Sequence, residues 1–166
     1  MADLSLEVVI GQIVNVLDET FIYRKKPWTY FTDNKPDAGF VGLLEGLSAA
    51  DVSRPIAGTS IVSHVHHVVF SLLESAAWIS GDHSHRDWNE SWQVNSVTDE
   101  EWSQELEHLR ASFLALRNAI RENGAKDILT VGGTIGVLAH MAFHLGAIRQ
   151  KVALLRSTGS ADFSPH

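Results

Sequence analysis

The chain has 166 residues, a formal charge of -7 and an isoelectric point near 5.6, and no basic run is longer than Arg24-Lys25-Lys26. An acidic chain without a basic face is a poor match for phosphate backbones, so nucleic acid is not an expected partner. Apolar residues make up 45%, too many for a disordered chain and enough at this length for one domain with its own core, while the absence of cysteine removes disulfides, thiolate metal sites and a Cys nucleophile.

The N-terminus carries Asp3 and Glu7 around its first apolar residues, unlike the basic start of a signal peptide. No run of about 20 uncharged apolar residues is read in the chain. The expectation is therefore a cytoplasmic protein that does not meet a membrane. Only four prolines occur, at 27, 36, 55 and 165, which leaves room for long helices. The first is expected over residues 4–23, with Val9, Ile13, Val16, Leu17 and Phe21 on one stripe. Residues 25–57 hold three prolines and read as an irregular excursion with a short helix near 40–47. A second long helix starts from Thr59 or Ser60 as N-cap and runs to about residue 80. A polar, tryptophan-bearing loop follows, over 81–96.

The third long helix is the clearest element. Thr98 and Glu101 form a capping-box pattern, and Trp102, Leu106, Leu109, Phe113, Leu116 and Ile120 recur in steps of four and three up to Gly124. The last helix is expected from 128 or 134 to 155, with residues 158–166 a loose Ser/Gly-rich tail. No repeat and no strand alternation is present. The economical reading is a single all-α domain over residues 1–166, a four-helix bundle with an ordered excursion between the first two long helices.

The chain holds nine histidines, and their placement is informative. His140 and His144 lie one helical turn apart, separated by about 40° around the axis, so both face the same way and can grip one metal ion. Their surroundings, residues 136–148, carry no charge, and unsatisfied imidazoles there would be costly. Alone, such a pair is as well explained by two hydrogen-bonded core histidines. His64, His66 and His67 open the second helix in similarly apolar company. His64 and His67 share a side, whereas His66 points elsewhere, toward the surface or an outer shell. A third ligand from another helix is what a metal site in a bundle core requires.

The wheel does not decide between His64 and His67. The strongest stripe of the second helix is Ile61, Val65, Val68, Leu72 and Ile79, and His64 lies nearer to it than His67. In the last helix, His140 and His144 lie opposite Val131, Ile135, Leu138, Ala142 and Leu145. Both helices are apolar nearly all round, so each is expected to bury two faces, which hints at a dimer.

Ser60 followed seven residues later by His67, together with His140-Met-Ala-Phe-His144-Leu-Gly146-Ala-Ile148-Arg149, resembles the DinB-like/YfiT family. The likeness extends to residues 39–48 and to the Asp87-Trp-Asn-Glu-Ser-Trp92 loop. It implies a four-helix bundle, commonly a homodimer, with one zinc or nickel ion held by His67, His140 and His144, and with His64 as a nearby group or the substitute ligand. It also implies a small-molecule substrate and, in relatives, transfer of low-molecular-weight thiols or glutathione-dependent isomerisation.

Three neutral imidazoles leave a divalent ion with an open position, where it acts as a Lewis acid toward a water or thiol. Lacking cysteine, the chain would need its thiol as a cosubstrate, which suits thiol transfer and hydrolysis equally. Catalytic residues are not assignable from sequence. Glu74 lies on the His67 side of its helix and is a candidate base, or simply a surface glutamate. Asp87, Trp88, Glu90 and Trp92 are placed to roof a pocket, although tryptophans more often cap a core. Arg149 would meet an anionic substrate or an acidic side chain. The alternative to an enzyme is a small-molecule-binding or stress-response bundle with a structural metal or none.

Overall fold

The computed structural model describes residues 5–159, and every described element is helical: α1 Leu6–Phe21, α2 Phe40–Leu44, α3 Ala49–Ser53, α4 Ile61–Ile79, α5 Asp99–Asn123 and α6 Ile128–Gly159. A 3₁₀ turn, Trp88–Trp92, interrupts the loop between α4 and α5. No strand occurs among the described residues. The fold is all-α, as expected.

The helix starts follow local chemistry. Ser5, Ser48, Ser60 and Thr98 each accept a backbone N–H of the first turn, satisfying donors that have no partner within the helix. Ser60, of the two residues considered, is the cap of α4. Thr98 and Glu101 form the expected reciprocal box. Ser48 and Asp51 form another, which makes α3 a helix that the sequence reading did not anticipate. α6 begins at Ile128, the earlier of the two expected starts, and runs to Gly159, beyond residue 155 and into the tail expected to be loose. Residues 160–166 lie outside the described part.

α4 packs along α5 and α6, and α1 packs against the same two helices, so the four long elements share one core. The expected seam of α5 is realised: Trp102, Leu109, Phe113, Leu116 and Ile120 are buried, with Leu106 at the margin. Phe21 of α1 stacks on Phe113 with centroids 4.5 Å apart. The core stripe of α1 is Ile10, Ile13, Val14, Leu17 and Phe21, with Val9 and Val16 at its edge.

α6 matches its expected stripe only in part. Its buried residues are Thr130, Val131, Thr134, Val137, Met141, His144, Leu145, Ile148, Lys151, Val152 and Leu155, while Ile135 is half exposed. Val131 and Leu145 of the expected stripe are buried, and so is His144 from the other side, so α6 buries more than one face. A helix that is apolar on all sides gives hydropathy no means of choosing a face. For the same reason the expectation of no membrane-length apolar run does not hold: Ile128–Ser157 is long and apolar enough, by length and composition, to cross a membrane. A core helix passes the same test, and α6 packs against α1 and α4.

The excursion over 22–60 is anchored by charge. Glu19 of α1 accepts N–H bonds from Tyr30, Phe31 and Thr32 at 2.8–2.9 Å, and the Thr32 hydroxyl at 3.0 Å. Burial raises the Glu19 pKa, but the three amides and the hydroxyl outweigh it and leave the carboxyl below its ordinary range. Arg149 of α6 donates to Asp33 at 2.7 Å and to the Ala38 carbonyl, so it ties α6 to the excursion through an acidic side chain.

Arg117 of α5 grips Asp18 of α1 in a bidentate pair, 2.6 and 3.1 Å, with both side chains largely buried. Removing one member leaves the other charge without its partner. Arg117→Ala should therefore lower unfolding stability by about 3 kcal/mol, read from urea midpoints; a change below about 0.5 kcal/mol, the range of an ordinary surface substitution, would assign α1 docking to apolar contacts alone.

Candidate metal centre

The site is built where α4 crosses α6. His67 faces α6 because it lies one turn beyond Ser63 and one turn before Ser71, a polar row on the buried side of α4. His140 and His144 face back from adjacent turns of α6. His67 and His144 are buried and His140 is intermediate.

The ε nitrogens of these three rings converge. His140 Nε2 lies 3.1 Å from His67 Nε2 and 2.8 Å from His144 Nε2. One ligand atom from each of the three falls within 4.8 Å of the others, the only such group of His, Cys, Asp or Glu among the described residues. Two nitrogens bound at about 2.0–2.1 Å in tetrahedral array sit roughly 3.3 Å apart, so the 3.1 and 2.8 Å separations from His140 fall within about half an ångström of that spacing.

Every outward δ nitrogen has a partner: His67 with Ser91 Oγ at 2.8 Å, His140 with Ser71 Oγ at 3.3 Å, His144 with His64 Nδ1 at 3.1 Å. Ser91 donates its own proton to the Trp88 carbonyl at 2.7 Å. It must then accept from His67 Nδ1–H, which leaves the His67 Nε2 lone pair directed inward, the tautomer a metal ligand needs.

His64 lies outside the converging set. Its Nδ1 meets His144 and its Nε2 meets Thr59 Oγ1 at 3.1 Å. Of the two candidates on α4, His67 joins His140 and His144, and His64 stands behind His144. His66 points away, to Glu105 on α5 at 3.0 Å.

The loop over 81–96 lies against the cluster. Trp92 stacks on His67 with centroids 4.2 Å apart and planes 20° from parallel, and meets His64 edge-on at 5.3 Å. Trp88 approaches His67 at 6.2 Å. Both tryptophans thus cover the histidines, the roofing role weighed in the sequence. Asp87 instead caps the 3₁₀ turn by accepting from the Asn89 amide, and Glu90 is exposed. Glu74 is ion-paired with Arg86 at 3.1 Å. Ser71 and Ser91 were missed in the sequence. Ser71 had a signal, four residues beyond His67 on the same face; Ser91 had none, because its place depends on how the loop folds back.

Burial, with the neighbouring imidazoles adding to it, lowers the pKa of His67 to about 4 and that of His144 to about 3, and burial also lowers His140. All three rings are held uncharged, the form that binds metal.

The chain matches no family model, no curated protein and no solved structure.

Two outcomes are expected here. His67 and His144 ionise in the unfolded chain near pH 6.5 but resist it when folded, so the unfolded state takes up more protons between those values. The metal-free protein should keep its full stability above about pH 6.5 and lose it as pH falls toward 4, with a shallower loss in His144→Ala; urea midpoints at pH 7.5 and 4.5 that agree in the parent would contradict this. Ser91→Ala should weaken metal binding about 10–100-fold, measured by chelator competition, because it frees the His67 tautomer.

Proposed function

We propose that this chain is a metal-dependent enzyme of the DinB-like kind: a four-helix bundle in which His67, His140 and His144 hold one zinc or nickel ion and act on a small molecule. Transfer of a low-molecular-weight thiol is the leading reaction, with metal-assisted hydrolysis as the other chemistry open to the same site. The observation that carries the reading is the convergence of three ε nitrogens whose δ nitrogens are all partnered. The last-helix motif from His140 to Arg149 and the joint core of the four long helices support the family reading.

A divalent ion bound by three neutral imidazoles supplies a Lewis acid with a position left for a donor atom of the substrate. The chain's own residues set the conditions. Ser91, Ser71 and His64 orient the three rings, and Trp92 keeps water from the face of His67. His140, the most exposed of the three, gives the cluster its open edge.

A non-catalytic bundle with a structural metal draws on one observation: Glu74, the carboxylate that the sequence offered as base, is already paired with Arg86. Chelation would then lower thermal stability and leave small-molecule binding unchanged. The resemblance also implies a homodimer, and the exposed apolar side chains of Ile128, Leu129 and Phe143 on α6 support it.

Metal analysis of untagged protein should find stoichiometric zinc or nickel, lost in His67→Ala, His140→Ala and His144→Ala. His64→Ala should retain the metal with affinity weakened about 10–100-fold, as expected for a ring that orients a ligand. A His64→Ala protein that is empty beside a loaded His67→Ala protein would reverse the assignment.

A further inference from the structure

A cleft of about 570 Å³ opens beside the histidine cluster, between α4, the first half of α6 and the loop after α4, and His140 and Ser71 belong to both. That volume falls within the range of small-molecule sites, roughly 300–1,000 Å³. The cleft therefore ends at the exposed edge of the candidate metal centre.

Its walls are selective. On the α6 side two positions carry no side chain. A Cβ on Gly133 would lie 2.7 Å from the Trp78 ring, so the glycine is what lets that indole lie against the helix. A Cβ on Gly136 would meet nothing within 4 Å, so that position is an open slot in the wall. Trp78 and Trp88 line the cleft with 39% and 48% of their surfaces exposed, which is a large apolar area to leave to water. Trp88 also reaches the ring of His67, so it spans the boundary between cleft and cluster.

The charges lining the cleft are largely closed on themselves. Arg86 is held by Glu74 at 3.1 Å and by Asp82 at 3.1 Å, so one cation answers two carboxylates. Among its lining residues Arg86 is the one Lys or Arg and is already paired, and with the His83 and His85 imidazoles neutral the surplus charge is negative. We infer that this cleft is a substrate subsite for a flat, uncharged aromatic group, bound against the exposed indole faces and the open position at Gly136, whose polar end reaches the edge of His140. The inference deepens the metal-enzyme reading and rests on it only for the placement of the polar end.

The test uses the full chain loaded with cobalt(II), whose visible absorption reports donor atoms entering the metal's coordination sphere. Imidazole and 4-phenylimidazole are titrated in parallel. The phenyl compound should bind at least about tenfold tighter, a difference of roughly 1.4 kcal/mol, and quench tryptophan fluorescence as it does so. Gly136→Leu puts a good helix former into the open slot, so the fold should tolerate it. It should leave cobalt binding and imidazole affinity unchanged and abolish the phenyl advantage. Equal affinities for the two probes, or a phenyl advantage that survives Gly136→Leu, overturn the inference.

Failure of the protein to bind cobalt would refute the metal reading instead, and the metal-free protein then decides the cleft. Saturable quenching by 2-naphthol that is lost in Gly136→Leu, with 1-naphthoate at least about tenfold weaker, supports the cleft as assigned. Quenching unaffected by Gly136→Leu, or tighter binding of the naphthoate anion, overturns it.

Discussion

Three imidazoles can share a buried volume only while all of them stay uncharged and every outward nitrogen has a partner, because an unsatisfied or ionised ring in that setting costs several kcal/mol. The arrangement at the crossing of α4 and α6 meets both demands. Ser91, Ser71 and His64 take up the three δ nitrogens, and burial holds the ring pKa values down. What remains is a set of ε nitrogens facing one another at about the spacing that a tetrahedral cation requires. Protons and a metal ion compete for the same lone pairs, so stability, acidity and metal affinity are linked at this one place.

The rest of the architecture serves that crossing. α5 and α1 supply a conventional apolar core, tied by the Arg117–Asp18 pair. Beyond α1, Glu19 gathers three consecutive amides and fixes a long excursion that lacks the length of helix to hold itself. Arg149 and Lys151, both on α6, reach back to carbonyls of the same excursion, Arg149 to Ala38 and Lys151 to Ile56 and Thr59. Thr59 in turn meets His64. The excursion is therefore connected to the histidines through a chain of polar contacts that ends on His64, the outer partner of His144.

Cluster and cleft divide the labour that small-molecule sites generally show, with a few fixed polar groups at one end and apolar surface along the remainder. The glycines of α6 permit this division. At 133 the missing side chain admits an indole, and at 136 it leaves room. His140 and His144, one and two turns beyond Gly136, face the crossing from the same helix. One element thereby provides both the bare wall and two of the three ring nitrogens.

Much of this was legible in the chain itself. Capping residues, the α5 seam and the one-turn spacing of His140 and His144 are local properties, set by 3.6-residue geometry and by which side chains can accept a backbone N–H. The all-α class and the pairing of two distant histidine segments followed from them. Three things did not. α4 and α6 are apolar on nearly every side and bury more than one face, so hydropathy could not choose which face lines the site. His64 and His67 sit on the same side of one helix, and only the approach of α6 decided which ring meets the other two. The places of Ser91, Trp88 and Trp92 depend on a loop folding back across α4, a long-range event that no local pattern encodes.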